Sequence, residues 1–110
     1  MTYQHQDLAA GRWRQLTFVE QVANIGGEVG RALSWRTKNN SGYAQQAFER
    51  ALELLDLTLA DAGSAARLRE LARLRETLVD FFAGNNTYRS TEALWRQYFA
   101  PFTYAARRNH

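Results

Sequence analysis

Apolar residues recur every three to four positions through most of the chain, the period of one buried helical face. Phe18, Val22, Ile25, Val29, Ala32 and Leu33 share a face when projected at about 100° per residue. Thr17-Phe18-Val19-Glu20 opens that segment as a capping box, in which the Thr17 hydroxyl and the Glu20 carboxylate each satisfy the other's backbone N–H. A second set, Ala44, Ala47, Phe48, Ala51, Leu52, Leu55 and Leu59, makes another broad arc. A third places Leu68, Leu71, Leu74, Leu78, Val79, Phe81 and Phe82 inward, and a fourth Leu94, Trp95, Tyr98, Phe99, Phe102 and Ala105. The pattern predicts helices over residues 17–38, 42–62, 64–83 and 91–108. Pro101 removes one helical hydrogen bond, but the rhythm continues across it, so a kinked helix is expected rather than a stop.

The breaks are short. Asn39-Asn40-Ser41-Gly42 separates the first two helices, Gly63 stops the second with Ser64 placed to cap the third, and Gly84 ends the third. Short connections return each helix against its predecessor. The expected fold class is therefore all-α: an antiparallel, up-down-up-down four-helix bundle with an irregular N-terminal segment. The helical pair within residues 44–82 is expected to organise it. Residues 1–16 would form a lid, with one turn capped by Asp7, an interruption at Gly11, and Trp13 tucked onto the bundle. At 110 residues the chain is read as a single domain, 1–110.

Three glycines, Gly26, Gly27 and Gly30, fall inside the first helix, each costing about 1 kcal/mol relative to alanine. Close approach of a neighbouring helix would offset that cost. A phosphate-binding loop is not indicated, because no strand precedes them and no lysine follows the last glycine.

Composition changes the picture little. Hydrophobic residues make up 45% of the chain and aromatics 13%, which is a globular balance. No apolar run approaches the ~20 residues that span a bilayer, so no membrane association is expected. The lack of cysteine suits a reducing compartment, and a cytoplasmic location is the expectation. The net charge of +3 and pI near 9.7 are compatible with a polyanionic partner. Lys38 is the only lysine among 14 basic residues, so the cations are almost all guanidinium groups, which suit phosphate and carboxylate.

Catalytic chemistry finds little to work with. The histidines are His5 and His110, so the Glu-x-x-His pairs of di-iron bundles are missing. Glu49, Glu53 and Asp56 align on the face away from the apolar arc and read as solvated carboxylates. The arginine-then-histidine signature of the HEPN ribonucleases is not matched, since Arg107 and Arg108 precede His110 by only three and two residues. No enzyme activity, metal or cofactor is expected.

One residue breaks the pattern. Arg75 falls within the apolar arc of the third helix, among Leu68, Leu71, Val79 and Phe82. It is expected to form a buried ion pair with a carboxylate of another helix, Glu28 or Asp56. The surface offers a second candidate. An antiparallel bundle gathers Arg31, Trp35, Arg36 and Lys38 near Arg89 and Arg96, with Arg107 about 16 Å further along the last helix. Cations around a tryptophan can hold a phosphate backbone and stack a base; an ordinary solvated face is the alternative.

Three stretches carry a resemblance: residues 20–26 (EQVANIG), residues 48–58 (FERALELLDLT), and Tyr98-Phe99 with residues 104–107 (YAAR). Through them the chain resembles an uncharacterised group of small bacterial all-helical proteins, which implies a helical fold and no assigned activity. In architecture alone it is similar to the ribosomal-RNA intervening-sequence proteins and the accessory proteins of diversity-generating retroelements. Those are basic four-helix bundles that assemble into rings beside nucleic acid, and none of their motifs is present here. The resulting expectation is a non-enzymatic interaction or assembly module, a homo-oligomer whose Leu57 and Tyr104 project off the apolar faces. The alternative is a nucleic-acid-binding accessory that uses the basic and aromatic patch.

Overall fold

The computed structural model describes residues 11–108. A short 3-10 turn at Trp13–Gln15 precedes four α-helices: α1 (Phe18–Thr37), α2 (Ser41–Ala60), α3 (Ala65–Ala83) and α4 (Glu92–Arg108). Each begins where a short polar side chain can receive orphan amides. The Thr17–Glu20 capping box forms in both directions, at 3.1 and 2.8 Å. The Ser64 hydroxyl accepts from the Arg67 amide at 3.1 Å and Thr91 accepts from Leu94 at 3.1 Å. The cap of α2 is Asn40, whose side chain accepts from the Tyr43 amide at 3.0 Å. Gly63, at φ 80°, takes the left-handed turn that separates α2 from α3. Pro101 lies inside α4, and the helix runs on past it.

Residue pairs give the sense of each helix. Trp35 of α1 meets Tyr43 of α2 at 4.8 Å between ring centroids, and nearer their middles Arg50 Nε donates to Glu28 at 3.1 Å. Along α2 and α3, Phe48 stacks on Phe82 while Asp56 meets Arg75. Along α1 and α4, Thr37 meets Glu92 and Ser34 meets Arg96. In each case the numbers rise along one helix and fall along the other.

The hub differs from the one the sequence suggested. α1 packs closely on both α2 and α4, whereas α3 rests mainly on α2. Val22, Ile25, Val29, Ala32 and Leu33 of α1 are all buried, together with Leu54, Leu55, Leu71, Leu74, Leu78, Trp95 and Phe99. Removing one such large aliphatic side chain from water stabilises the fold by about 1.5–3 kcal/mol. Between α3 and α4 the closure is by side chains. Trp95 meets Phe81 with ring centroids 6.2 Å apart, and the Tyr98 hydroxyl donates to Glu70 at 3.2 Å. Burial, with the Glu70 charge and hydrogen bond behind it, pushes the Tyr98 phenol up to about 12.

Trp13 is more than a lid. It is 3% exposed and belongs to the core. Its indole Nε1 donates to the Thr58 hydroxyl at 3.0 Å, and its carbonyl accepts from Gln21 Nε2 at 2.9 Å. The Thr58 hydroxyl in turn donates to the Leu54 carbonyl at 3.0 Å. These bonds satisfy the buried side chains of Trp13, Gln21 and Thr58 and tie the N-terminal stretch to both α1 and α2. The suggested Asp7 cap lies outside the described residues, as do His5 and His110.

Three further expectations need correction. Glu53, read as part of a solvated stripe, is 3% exposed. Around its middle α2 is enclosed over most of its circumference, with Ala51, Leu54 and Leu55 buried and Leu52, Asp56 and Leu57 half-buried. A single-stripe projection fails there. Leu68 and Leu94, read as inward, are both exposed, because α3 and α4 approach each other too loosely to cover them.

Candidate functional site

Gly26 brings α1 and α4 together. A Cβ built there would lie 2.8 Å from Cβ, Cγ and Cδ1 of Phe99, closer than real carbon contacts, so only glycine lets this ring sit against the helix. Around the contact, the two helices leave a groove of about 380 Å³ between them, lined by the small residues Gly26, Gly30 and Ala100 and by the buried Val29, Leu33 and Trp95. Arg96, Arg107 and Tyr104 stand along it. Tyr104 is 65% exposed, with the Arg108 guanidinium 5.8 Å from its ring centroid. Trp95, at the back of the groove, is buried, and its Nε1 has no hydrogen-bond partner among the described residues.

A second concavity adjoins the groove at Gly30 and Arg96. It is lined by Gly27, Arg31, Ser34, Trp35 and Lys38 as well. Arg31 Nη1 donates to Glu28 at 2.9 Å, and Arg96 donates to Glu92 through Nε at 3.1 Å and Nη2 at 2.9 Å. Arg96 Nη2 also reaches the Ser34 hydroxyl at 3.4 Å. The Lys38 ammonium stands 5.2 Å from the Trp35 ring centroid, a cation–π contact at an open site.

The seven residues of the suggested basic patch thus divide. Arg31, Trp35, Lys38 and Arg96 line one concavity, and Arg107 shares the adjoining groove with Arg96. Arg36 turns away: its guanidinium lies 4.6 Å from the Phe81 ring centroid and 5.8 Å from that of Phe82. Arg89 takes a left-handed conformation, φ 55°, in the α3–α4 loop and lines neither concavity. The close approach expected to offset the cost of the α1 glycines is present at Gly26, against Phe99 of α4, and not at Gly27 or Gly30, which meet only arginine side-chain ends.

The expected ion pair is present but not buried. Arg75 Nε donates to Asp56 Oδ1 at 2.8 Å, with side chains 40% and 38% exposed. That hydrogen bond holds the Arg75 pKa above its ordinary value against a smaller opposing effect of burial. Glu28 is not its partner; it bridges Arg31 and Arg50 instead, at 2.9 and 3.1 Å. Arg75 reaches the surface because its long stem lies across the α2–α3 seam and carries the head into water. Arg75→Ala is therefore expected to cost no more than about 1 kcal/mol, as for exposed pairs, rather than the ~3 kcal/mol or more of a broken buried one. Chemical denaturation of the variant beside the parent chain measures the difference.

Among the described residues no group of three or more histidine, cysteine or acidic side chains is placed to hold a metal ion, and no helix is long and apolar enough to cross a membrane. The part of the family resemblance that stands is the coarse one, a small chain whose described residues are all-helical, with four α-helices. Comparison with family models, with curated proteins and with solved structures finds no match to this chain.

Proposed function

We propose that this chain is a non-enzymatic helical module that works by binding and assembles with copies of itself through the α1/α4 face. The observation that supports assembly is the groove between those helices, where glycine and alanine share the lining with the exposed ring of Tyr104. Small residues let a partner's backbone come close, and an exposed tyrosine beside them offers a large contact area at low entropic cost. A two-fold pairing would place each Tyr104 against the other copy's groove. The non-enzymatic part of the reading comes from the sequence motifs weighed above. A cytoplasmic setting and kinship with the uncharacterised bacterial helical proteins belong to the same proposal.

Multi-angle light scattering over a concentration series tests it. The parent chain is expected to exceed monomer mass at sub-millimolar concentration, and Tyr104→Asp to shift it to monomer without loss of helicity. A parent chain that stays monomeric throughout the series defeats the proposal.

A different observation favours a second reading, a nucleic-acid-binding accessory. Arg31, Trp35, Lys38 and Arg96 line a single concavity, which is the grouping that phosphate neutralisation and base stacking require. Binding of this kind weakens as salt rises, because bound cations are released from the nucleic acid.

A further inference from the structure

Two of the three glycines in α1 have no reason to be glycine within the fold. A Cβ at Gly27 would meet nothing nearer than Arg31 Nη1 at 3.8 Å, and one at Gly30 nothing nearer than Arg96 Nη1 at 3.8 Å. Those are ordinary contacts with the mobile ends of long side chains. Alanine fits at both positions and is the better helix former. Gly26, by contrast, is required by Phe99. The chain thus carries two helix-weakening residues where its own packing asks for none, and both lie in the concavity lined by Arg31, Ser34, Trp35, Lys38 and Arg96.

We propose that this concavity seats the phosphodiester backbone of a single-stranded nucleic acid, with one base stacked on Trp35. Gly27 and Gly30 stay bare so that the strand can lie against the α1 backbone. The inference rests on the nucleic-acid reading above. The cations suit it. Arg31 engages Glu28 through one nitrogen, and Arg96 engages Glu92 through two. Each guanidinium has five N–H groups, so donors remain for phosphate oxygens while the carboxylates hold the heads in place. Lys38, now over the Trp35 ring, would give up that face to a base and turn its ammonium to the adjacent phosphate. A duplex keeps its bases stacked inside, out of reach of the Trp35 ring, whereas a single strand presents them.

Fluorescence anisotropy with a labelled oligothymidylate at low and high salt provides the test, with a duplex of equal length and polyglutamate as competitors. The parent chain is expected to bind the single strand at low salt, to lose affinity as salt rises, and to prefer it to either competitor. In the Gly27→Ala/Gly30→Ala variant the melting temperature should rise by roughly 4–8 °C per substitution. Its affinity for the oligothymidylate should fall at least several-fold. Stability and binding moving in opposite directions is the signature, since a merely structural role for these glycines would move them together. Unchanged affinity in the stabilised variant overturns the close-approach inference and leaves the wider nucleic-acid reading intact. No binding of any oligonucleotide at low salt removes both, and preference for the duplex or for polyglutamate overturns the assignment to single strands.

Discussion

Trp13→Ala is expected to destabilise the protein by about 3–5 kcal/mol, the range for removing a large buried aromatic side chain. For a domain of this size that lowers the melting temperature by roughly 15 °C or more. The effect has two separable parts. The larger is the volume that Trp13 fills at the open end of the α1–α2 pair, where it joins the buried core. The smaller is the bond from its indole to the Thr58 hydroxyl. Trp13→Phe keeps most of the first and deletes the second, and should cost nearer ~1 kcal/mol. Thermal and denaturant unfolding of both variants decides the matter. A loss below ~1 kcal/mol for the alanine variant would mean that the segment before α1 merely covers the bundle.

Gly26→Ala is expected to cost about 1–3 kcal/mol, as overpacking does in a tight core, even though alanine is by itself the better helix former. The added methyl would meet Phe99 at Cβ, Cγ and Cδ1. Cβ is fixed to the backbone, so a change of rotamer cannot relieve the contact and α4 must move as a body. Phe99→Ala, which removes Cγ and Cδ1, should itself be destabilising, yet combined with Gly26→Ala it should lose less than the sum of the two. That non-additivity, read from a double-mutant cycle, is the measurement that ties the glycine to the ring. Additive losses would show that the two residues do not press on each other.

Much of the fold is legible in the sequence because its signals are local. The Thr17–Glu20 capping box and the Ser64 cap each depend on residues within one turn, and both form as the spacing predicts. The Asn40 cap is harder to read, because Asn39-Asn40-Ser41-Gly42 offers several capping residues in a row. What periodicity could not supply is the number of neighbours each helix has. Glu53 is buried because the middle of α2 is enclosed on more than one side, and Leu94 is exposed because α4 is closely backed on one side alone. A helical projection knows one helix and not its surroundings.

The candidate site shows the same division. Arg31, Trp35, Lys38 and Arg96 come together because helices of known length joined by short loops bring those positions side by side. Arg36 is one step from Trp35 in sequence, but one step along a helix turns a side chain by about 100°, and it packs on Phe81 instead. Arg75 stands out in the sequence by its place in an apolar arc, and Asp56 does meet it. Its exposure was hidden because an arginine stem can lie in an apolar arc while its head leaves.

The order of packing has a mechanical consequence. α4 leans on α1, α1 on α2 and α2 on α3, while α3 and α4 meet more loosely, through side chains such as Phe81 with Trp95 and Glu70 with Tyr98, so the ring of helices has one weak seam. Tension applied at the end of α4 would load the Gly26–Phe99 contact first and peel that helix away, leaving the α1–α2 pair under Trp13 undisturbed. Tension on α3, across that seam, would act on its contacts with α2, through Phe82 and Arg75. The helices on either side of the seam can yield one at a time, and the bundle opens there before the α1–α2 pair parts.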